Sequence, residues 1–153
     1  MWDIVGKPLE PISKGKDCSG FINERPGGVA FNVAIGLSKI LNRRSFELNL
    51  VSAIGKNEKT SVIQTVLEEN NINTKYLLIK GNQNDQYLSI ETKNGEIFGS
   101  INSSSTFLSS QSDIIGHFSK ICLAHKNENS DAIFIFDGQL YKRVFRLRKK
   151  RGK

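Results

Sequence analysis

Two glycines, Gly27 and Gly28, stand behind Pro26 and directly ahead of an apolar stretch in "ERPGGVAFNVAIGLSKIL", residues 24–41. The first backbone N–H groups of a helix lack internal partners and lie at the positive end of its dipole, and glycine lets a ligand approach that backbone closely. The junction is therefore either a plain Pro-Gly turn or a place where main chain meets an electron-rich ligand, and local chemistry leaves both open. Asn32 favours the second. It falls on the first turn of an otherwise apolar helix, where its amide either reaches the same ligand or bonds to local backbone.

Other chemistry-bearing patterns are weaker. "IGKN" at Gly55 resembles the end of a Walker A loop but lacks the earlier glycine and the following Ser or Thr, and no G-x-G-x-x-G occurs. His117, Cys122 and His125 form H-x4-C-x2-H, which does not match usual zinc spacing and has no second cluster to complete four ligands. No local signature of a Cys-His or Ser-His-Asp set exists. Asp137 follows a short apolar run, the place where α/β folds put ligand contacts, although Asp-Gly is also a plain turn.

The elements that must hold these residues follow from apolar spacing. Val29, Val33, Leu37, Ile40 and Leu41 recur at three and four residues, predicting a helix over 29–41. "FELNLVSAIG" reads as a strand, "EKTSVIQTVLEENN" as a second helix with Val62, Ile63, Val66 and Leu67 in its stripe, and "KYLLIK" as a further strand. "QYLSIET" and "EIFGSIN" around Asn94-Gly95 predict a β-hairpin. "DIIGHFSKICLAH" reads as a helix and "AIFIFDG" as a buried parallel strand, while Ser103–Ser105 and Ser109–Ser112 mark a polar loop. This alternation predicts an α/β domain with a mainly parallel sheet and an antiparallel excursion.

At 153 residues, 38 % apolar and 24 % charged, the chain can build one core. No run of about 18 apolar residues and no basic-then-apolar leader appears, which predicts a soluble, cytoplasmic protein without a membrane span. Cys18 and Cys122, far apart, fit reduced thiols. The net charge of +7 is local: residues 142–153 carry eight of the 22 basic residues and no acid, leaving 14 basic against 15 acidic, or −1, for residues 1–141. Any electrostatic attraction to nucleic acid is thus confined to this C-terminal tail.

"PGGVAFNVAIGLSKIL", "LVSAIGKN", "NNINTKYLL", "YLSIETKNGEIFGSIN" and "AIFIFDGQL", in this order, resemble the N-terminal half of a PfkB (ribokinase-like) carbohydrate kinase over residues 2–140. Within that family the pseudouridine kinases are the most similar, through "DIVGKP" near the start and Gly20 six residues before Pro26. The resemblance implies a ribokinase-like fold: a partial Rossmann-like α/β/α sandwich with a small β-lid, made of residues 15–25 and 86–102, within a kinase domain of residues 1–141. It implies a sugar or nucleoside substrate whose hydroxyls are held by Asp3, Gly27, Gly28 and Asn32, carboxylate and amide oxygens accepting while backbone N–H groups donate. It also implies pairing of two copies through the lids, with Tyr87, Ile90, Ile97 and Ile101 at the contact, although the same alternation requires only one covered sheet side.

ATP and Mg belong to the full-length family, but no cofactor site is evident in this sequence. The G-x-G-D motif, which supplies the anion hole and the aspartate base, does not occur, and no catalytic residue is assigned. The sequence also begins inside the "DIVGKP" segment, so the family's first strand is missing. "KNEKTS" replaces the usual glycine and acidic residues after "IG", Phe31 replaces a common arginine, and the basic tail begins where the next family segment should. The expectation is a truncated kinase domain with part of a sugar site and no activity alone. The alternatives are a non-catalytic module whose tail contacts nucleic acid, and a decaying gene product.

Overall fold

The computed structural model describes residues 1–41, 46–128 and 133–135. Eleven elements are present among them, in the order β1 (Trp2–Pro8), β2 (Gly20–Pro26), α1 (Val29–Ile40), β3 (Leu48–Asn49), β4 (Ser52–Ile54), α2 (Glu58–Glu69), β5 (Ile72–Asn73), β6 (Leu77–Ile79), β7 (Gln86–Glu91), β8 (Ile97–Ser103) and α3 (Ser105–Glu128). They divide into a four-stranded sheet, ordered β2-β1-β7-β8, and a helix-flanked body whose strands pair in parallel, β3 with β5 and β4 with β6. The α/β expectation holds. The predicted hairpin forms as β7–β8, and Gly95 in its turn adopts φ 84°, the left-handed region that favours glycine.

Instead of leaving the body's sheet, the hairpin joins a second sheet whose centre is β1. That strand pairs antiparallel with β2 and parallel with β7, although "WDIVGKP" has little alternation to announce it. The lid range of 15–25 is corrected at its start, because β2 begins only at Gly20. "FELNLVSAIG" splits into β3 and β4, with Leu50 turning into the core between them.

The core is built from Trp2, Ala34, Leu50, Ile63, Leu67 and Ile72, with Ile4, Phe31 and Ile35 packed against it. On α2 the expected stripe is buried at Ile63 and Leu67 while Val62 is exposed, a small rotation of the helix face. On α1 the rotation is larger. Ala34 and Ser38 are buried, whereas Val29 and Val33 are exposed to an apolar groove shared with Ile114 and Phe118 of α3. Periodicity marks that a helix has an apolar face, but α1 is apolar on two sides, so it does not say which side meets the core.

The serine-rich "polar loop" is helix from Ser105 onward, Ser103 ending β8. α3 starts at Ser105, well ahead of "DIIGHF", because Asp85 caps it from outside: its carboxylate accepts the Thr106 and Phe107 N–H groups, each at 2.8 Å. Ser109 then donates to the Thr106 carbonyl at 3.1 Å, so its hydroxyl is satisfied inside the helix. Of the expected strand "AIFIFDG", only Ile133–Ile135 are described, and these three form no strand; Asp137 and the tail of residues 142–153 lie outside the described residues. Among the described residues no helix is long and apolar enough to cross a membrane.

Candidate functional site

β1 carries Asp3 to the edge of a cleft of about 320 Å³ between the four-stranded sheet and the body. The β2–α1 junction comes to the same place. Gly27 is buried against the Asp3 side chain so closely that a Cβ there would overlap the carboxylate, and its N–H donates to the Met1 carbonyl at 3.1 Å. Gly28 is the N-cap of α1 at φ 95°, ψ 153°, a conformation that only glycine adopts without strain. The pair is therefore more than a turn: Gly27 gives the aspartate room, and Gly28 turns the chain into the helix.

Among the described residues no side chain caps α1, so its first N–H groups are left open at the cleft. Asn32, whose N–H closes the first helical bond to the Gly28 carbonyl at 2.9 Å, is exposed and lines the cleft as well. The four sequence-nominated residues, Asp3, Gly27, Gly28 and Asn32, thus line one cleft. A carboxylate and an amide oxygen beside an open helix N-terminus can accept from hydroxyls and donate to their oxygens together. Phe31 packs against the core rather than reaching out as a cation would.

Sequence reasoning missed the rest of the lining. Asp85, Tyr87, Asn102 and Phe107 complete the cleft. Asn102 was visible only as a polar member of an alternating hairpin, and Tyr87 was expected at a contact between lids. The register, Asp3 beside Tyr87 and Tyr87 beside Asn102, gives them their face. Asp85 is buried, and besides capping α3 its backbone carbonyl accepts the Trp2 N–H at 2.7 Å, tying β1 to the start of β7. The Asp85 carboxylate holds Phe107 at the cleft through a backbone bond.

The other nominated motifs take structural places. At "IGKN", Asn84 Oδ1 accepts the Gly55 N–H at 2.9 Å while Asn84 Nδ2 donates to Asn57 Oδ1 at 2.7 Å. Asn57 in turn caps α2, accepting from the Lys59 N–H at 3.1 Å, and Thr60 Oγ1 accepts from the Asn57 N–H at 2.9 Å. That turn is filled by protein. His117 packs edge-on against Tyr76 with ring centroids 5.6 Å apart, and His125 lies beside Phe134. Cys122 is half-buried, and burial pushes its thiol pKa up. Among the described residues, no three His, Cys, Asp or Glu side chains gather to hold a metal ion.

A clasp joins sheet to body beside the cleft. Glu24 of β2 accepts from the Trp2 indole N–H at 2.7 Å and from Lys59 Nζ of α2 at 2.9 Å, and the Lys59 ammonium lies 4.9 Å from the Trp2 ring centre. The hydrogen bonds from Lys59 and then Trp2 hold the Glu24 carboxyl below the ordinary glutamate range.

The same arrangement of sheet and body occurs in solved kinases. A sugar kinase from Clostridium perfringens, described as putative, superposes with a TM-score of 0.63 at 21 % identity, covering 78 % of this chain and 37 % of its own. A nucleoside kinase from Methanocaldococcus jannaschii gives 0.58 at 16 %, covering 73 % and 36 %. Ribokinase from Arabidopsis thaliana, solved with ribose and ATP, gives 0.56 at 16 %, covering 69 % and 33 %. The fold is therefore ribokinase-like, and the chain spans about a third of the length of these structures. No curated protein matches the sequence. The sequence model described as pfkB family carbohydrate kinase matches residues 15–136, most of the chain beyond β1, and the protein belongs to that family.

Proposed function

We propose that this chain holds the hydroxyl groups of a sugar or nucleoside in the cleft between sheet and body, through Asp3, Gly27, Gly28 and Asn32, and does not phosphorylate them by itself. The observation that carries this reading is the approach of Gly27 to Asp3: a glycine that leaves room for a carboxylate, beside a helix start without a side-chain cap. A polyol satisfies that mixture of acceptors and donors. The four-stranded sheet is the lid over the sugar, excluding water from it. A pseudouridine-type substrate is favoured by "DIVGKP" and by the placement of Gly20 before Pro26. The protein acts in the cytoplasm, where Cys18 and Cys122 remain thiols.

ATP and Mg, which the family implies, do not fit the described residues. The turn at Gly55–Asn57 is closed by Asn84, among the described residues no three His, Cys, Asp or Glu side chains gather for a cation, and the sequence has no G-x-G-D. No transfer step is therefore derived. Purified chain incubated with ATP and ribose or pseudouridine is expected to bind the sugar and release no phosphorylated product. Robust turnover sinks the inactive reading, and failure to bind either compound sinks the site.

Two partner readings accompany it. The lid's face away from the cleft exposes Ile22, Ile90 and Ile101, the last 67 % exposed, and a second copy covers it. Tyr87 does not share that face, since it lies in the row of Asp3 and Asn102, and so leaves the expected dimer set. Ile101→Lys should shift a dimer to monomer in sedimentation. Nucleic acid is the partner of the tail alone, bound in a steeply salt-dependent way that deletion of residues 142–153 abolishes.

A further inference from the structure

Among the described residues β3 pairs only with β5 and β4 only with β6, which leaves one edge of each without a partner. An apolar groove runs along these two strands. Leu48 and Asn49 of β3, Leu50 and Val51 of the link, and Ser52 of β4 all line it. Adjacent strand residues such as Leu48 and Asn49 point to opposite faces, so a groove that touches both lies beside the backbone edge rather than over one face. Val33 and Leu37 of α1, Phe118 of α3 and Ile133–Ile135 contribute to the remaining walls. An open edge presents a row of backbone donors and acceptors that natural sheets pair or cover. Ile133–Ile135 reach the groove but form no strand, so they do not supply that ladder. Asn49 adds to the demand: its Oδ1 is buried without a hydrogen-bond partner among the described residues.

Charge decides what can cover the groove. None of its described lining residues is charged, so a charged occupant would lose its hydration with nothing to pair with. The segments of this sequence outside the described residues fail on that ground: 42–45 carry Arg43 and Arg44, 129–132 carry Asp131, and 136–153 carry Asp137 and the basic tail. A small apolar molecule suits the walls but leaves the backbone row and Asn49 unsatisfied. An uncharged peptide strand satisfies both, its N–H and C=O groups pairing with the edge while its side chains enter the apolar walls. We propose that the open edge of β3 and β4 is a strand-docking slot, which takes an uncharged apolar segment matching residues 48–52 in length from a separate polypeptide.

Fluorescence anisotropy of the full chain with a labelled peptide tests this, the probe being alternating valine and isoleucine over the length of residues 48–52, with lysines at both ends for solubility. It should bind saturably below about 1 mM. Two further peptides carry N-methyl groups on alternate amides, one set for each edge of the strand, and one of them should bind about ten-fold or more weakly because its ladder donors are gone. Val33→Lys, which puts a charge into the slot, should weaken the parent peptide by about ten-fold or more, while Val62→Lys, exposed on α2 outside the groove, should stay within about two-fold. Ile133→Lys, at a position 84 % exposed and so free of folding cost, repeats the test should Val33→Lys lose its far-ultraviolet dichroism. No saturable binding overturns the proposal. Equal binding of all three peptides overturns it as well, since it reduces the groove to an apolar adsorption site. A chain that is dimeric in sedimentation without peptide and monomeric as Val33→Lys overturns it in favour of a second copy in the slot.

Discussion

Gly27→Ala is the sharpest perturbation of the candidate site. The new methyl would sit inside the Asp3 carboxylate, 2.5 Å from Oδ1, the farthest of the three carboxylate atoms it meets. Real Cβ atoms do not come within about 3 Å of such atoms, so either β1 or the β2–α1 junction must shift. Both are constrained: β1 is paired on each side, and Gly27 is held to Met1 by its N–H. Overpacking of this kind costs about 1–3 kcal/mol, which at roughly 3 °C per kcal/mol lowers the melting temperature by about 3–9 °C.

The same shift moves the carboxylate off its hydroxyls, so ribose affinity should fall about ten-fold or more, the loss expected when a charge-assisted hydrogen bond is misplaced. Gly36→Ala is the control. It lies mid-helix on α1 with open space where its Cβ would go, and should stabilise the protein by up to about 1 kcal/mol without touching affinity. Thermal melts and ribose titrations on the two variants decide. Gly27→Ala with wild-type stability and affinity would refute the claim that this glycine exists to admit Asp3.

The remaining predictions concern what holds the cleft open and joined. Leu67→Ala, at a fully buried core position, should cost about 2–5 kcal/mol in denaturant unfolding, whereas Val62→Ala on the exposed side of the same helix should stay within about 1 kcal/mol. Asp85→Ala leaves the Thr106 and Phe107 N–H groups without their cap and should cost about 2 kcal/mol, with earlier exchange of amides at the start of α3 by hydrogen-exchange mass spectrometry. The depressed Glu24 carboxyl gives a pH dependence with a definite sign. Its contribution is fully present above the ordinary glutamate value of 4.5 and disappears as pH falls through the lower folded value, so stability should drop on acidification below about 4.5. Glu24→Gln should flatten that part of the pH profile; an unchanged slope would remove the clasp from the account.

Much of the architecture was legible locally. α1, α2 and the β7–β8 hairpin follow from apolar spacing and from Asn94-Gly95, because helices and tight turns are set by neighbours in the chain. The start of α3 was not legible, since its cap, Asp85, lies 20 residues upstream and no serine-rich stretch announces a carboxylate arriving from elsewhere. The buried side of α1 was hidden for a related reason: Val33 and Ala34 are both apolar, and only the position of the body strands chooses Ala34.

Gly27 and Gly28 could be nominated from the sequence because backbone demands restrict residue type: a φ of 95° and the lack of room for a Cβ both point to glycine; Asn32 stood out as a polar residue on an apolar helix. Asp3 entered only by resemblance. Tyr87, expected only at a lid contact, and Asn102 could not be nominated for the cleft, since alternation says that a strand has two faces without saying what each face looks at. That was decided by β1 inserting between β2 and β7, which lines Asp3, Tyr87 and Asn102 into one row across three strands. The sequence by itself determined α1, α2, the hairpin and the glycine junction, through local sterics. The tertiary structure alone decided the length of the cleft, because that length is measured across strands that are distant in the chain.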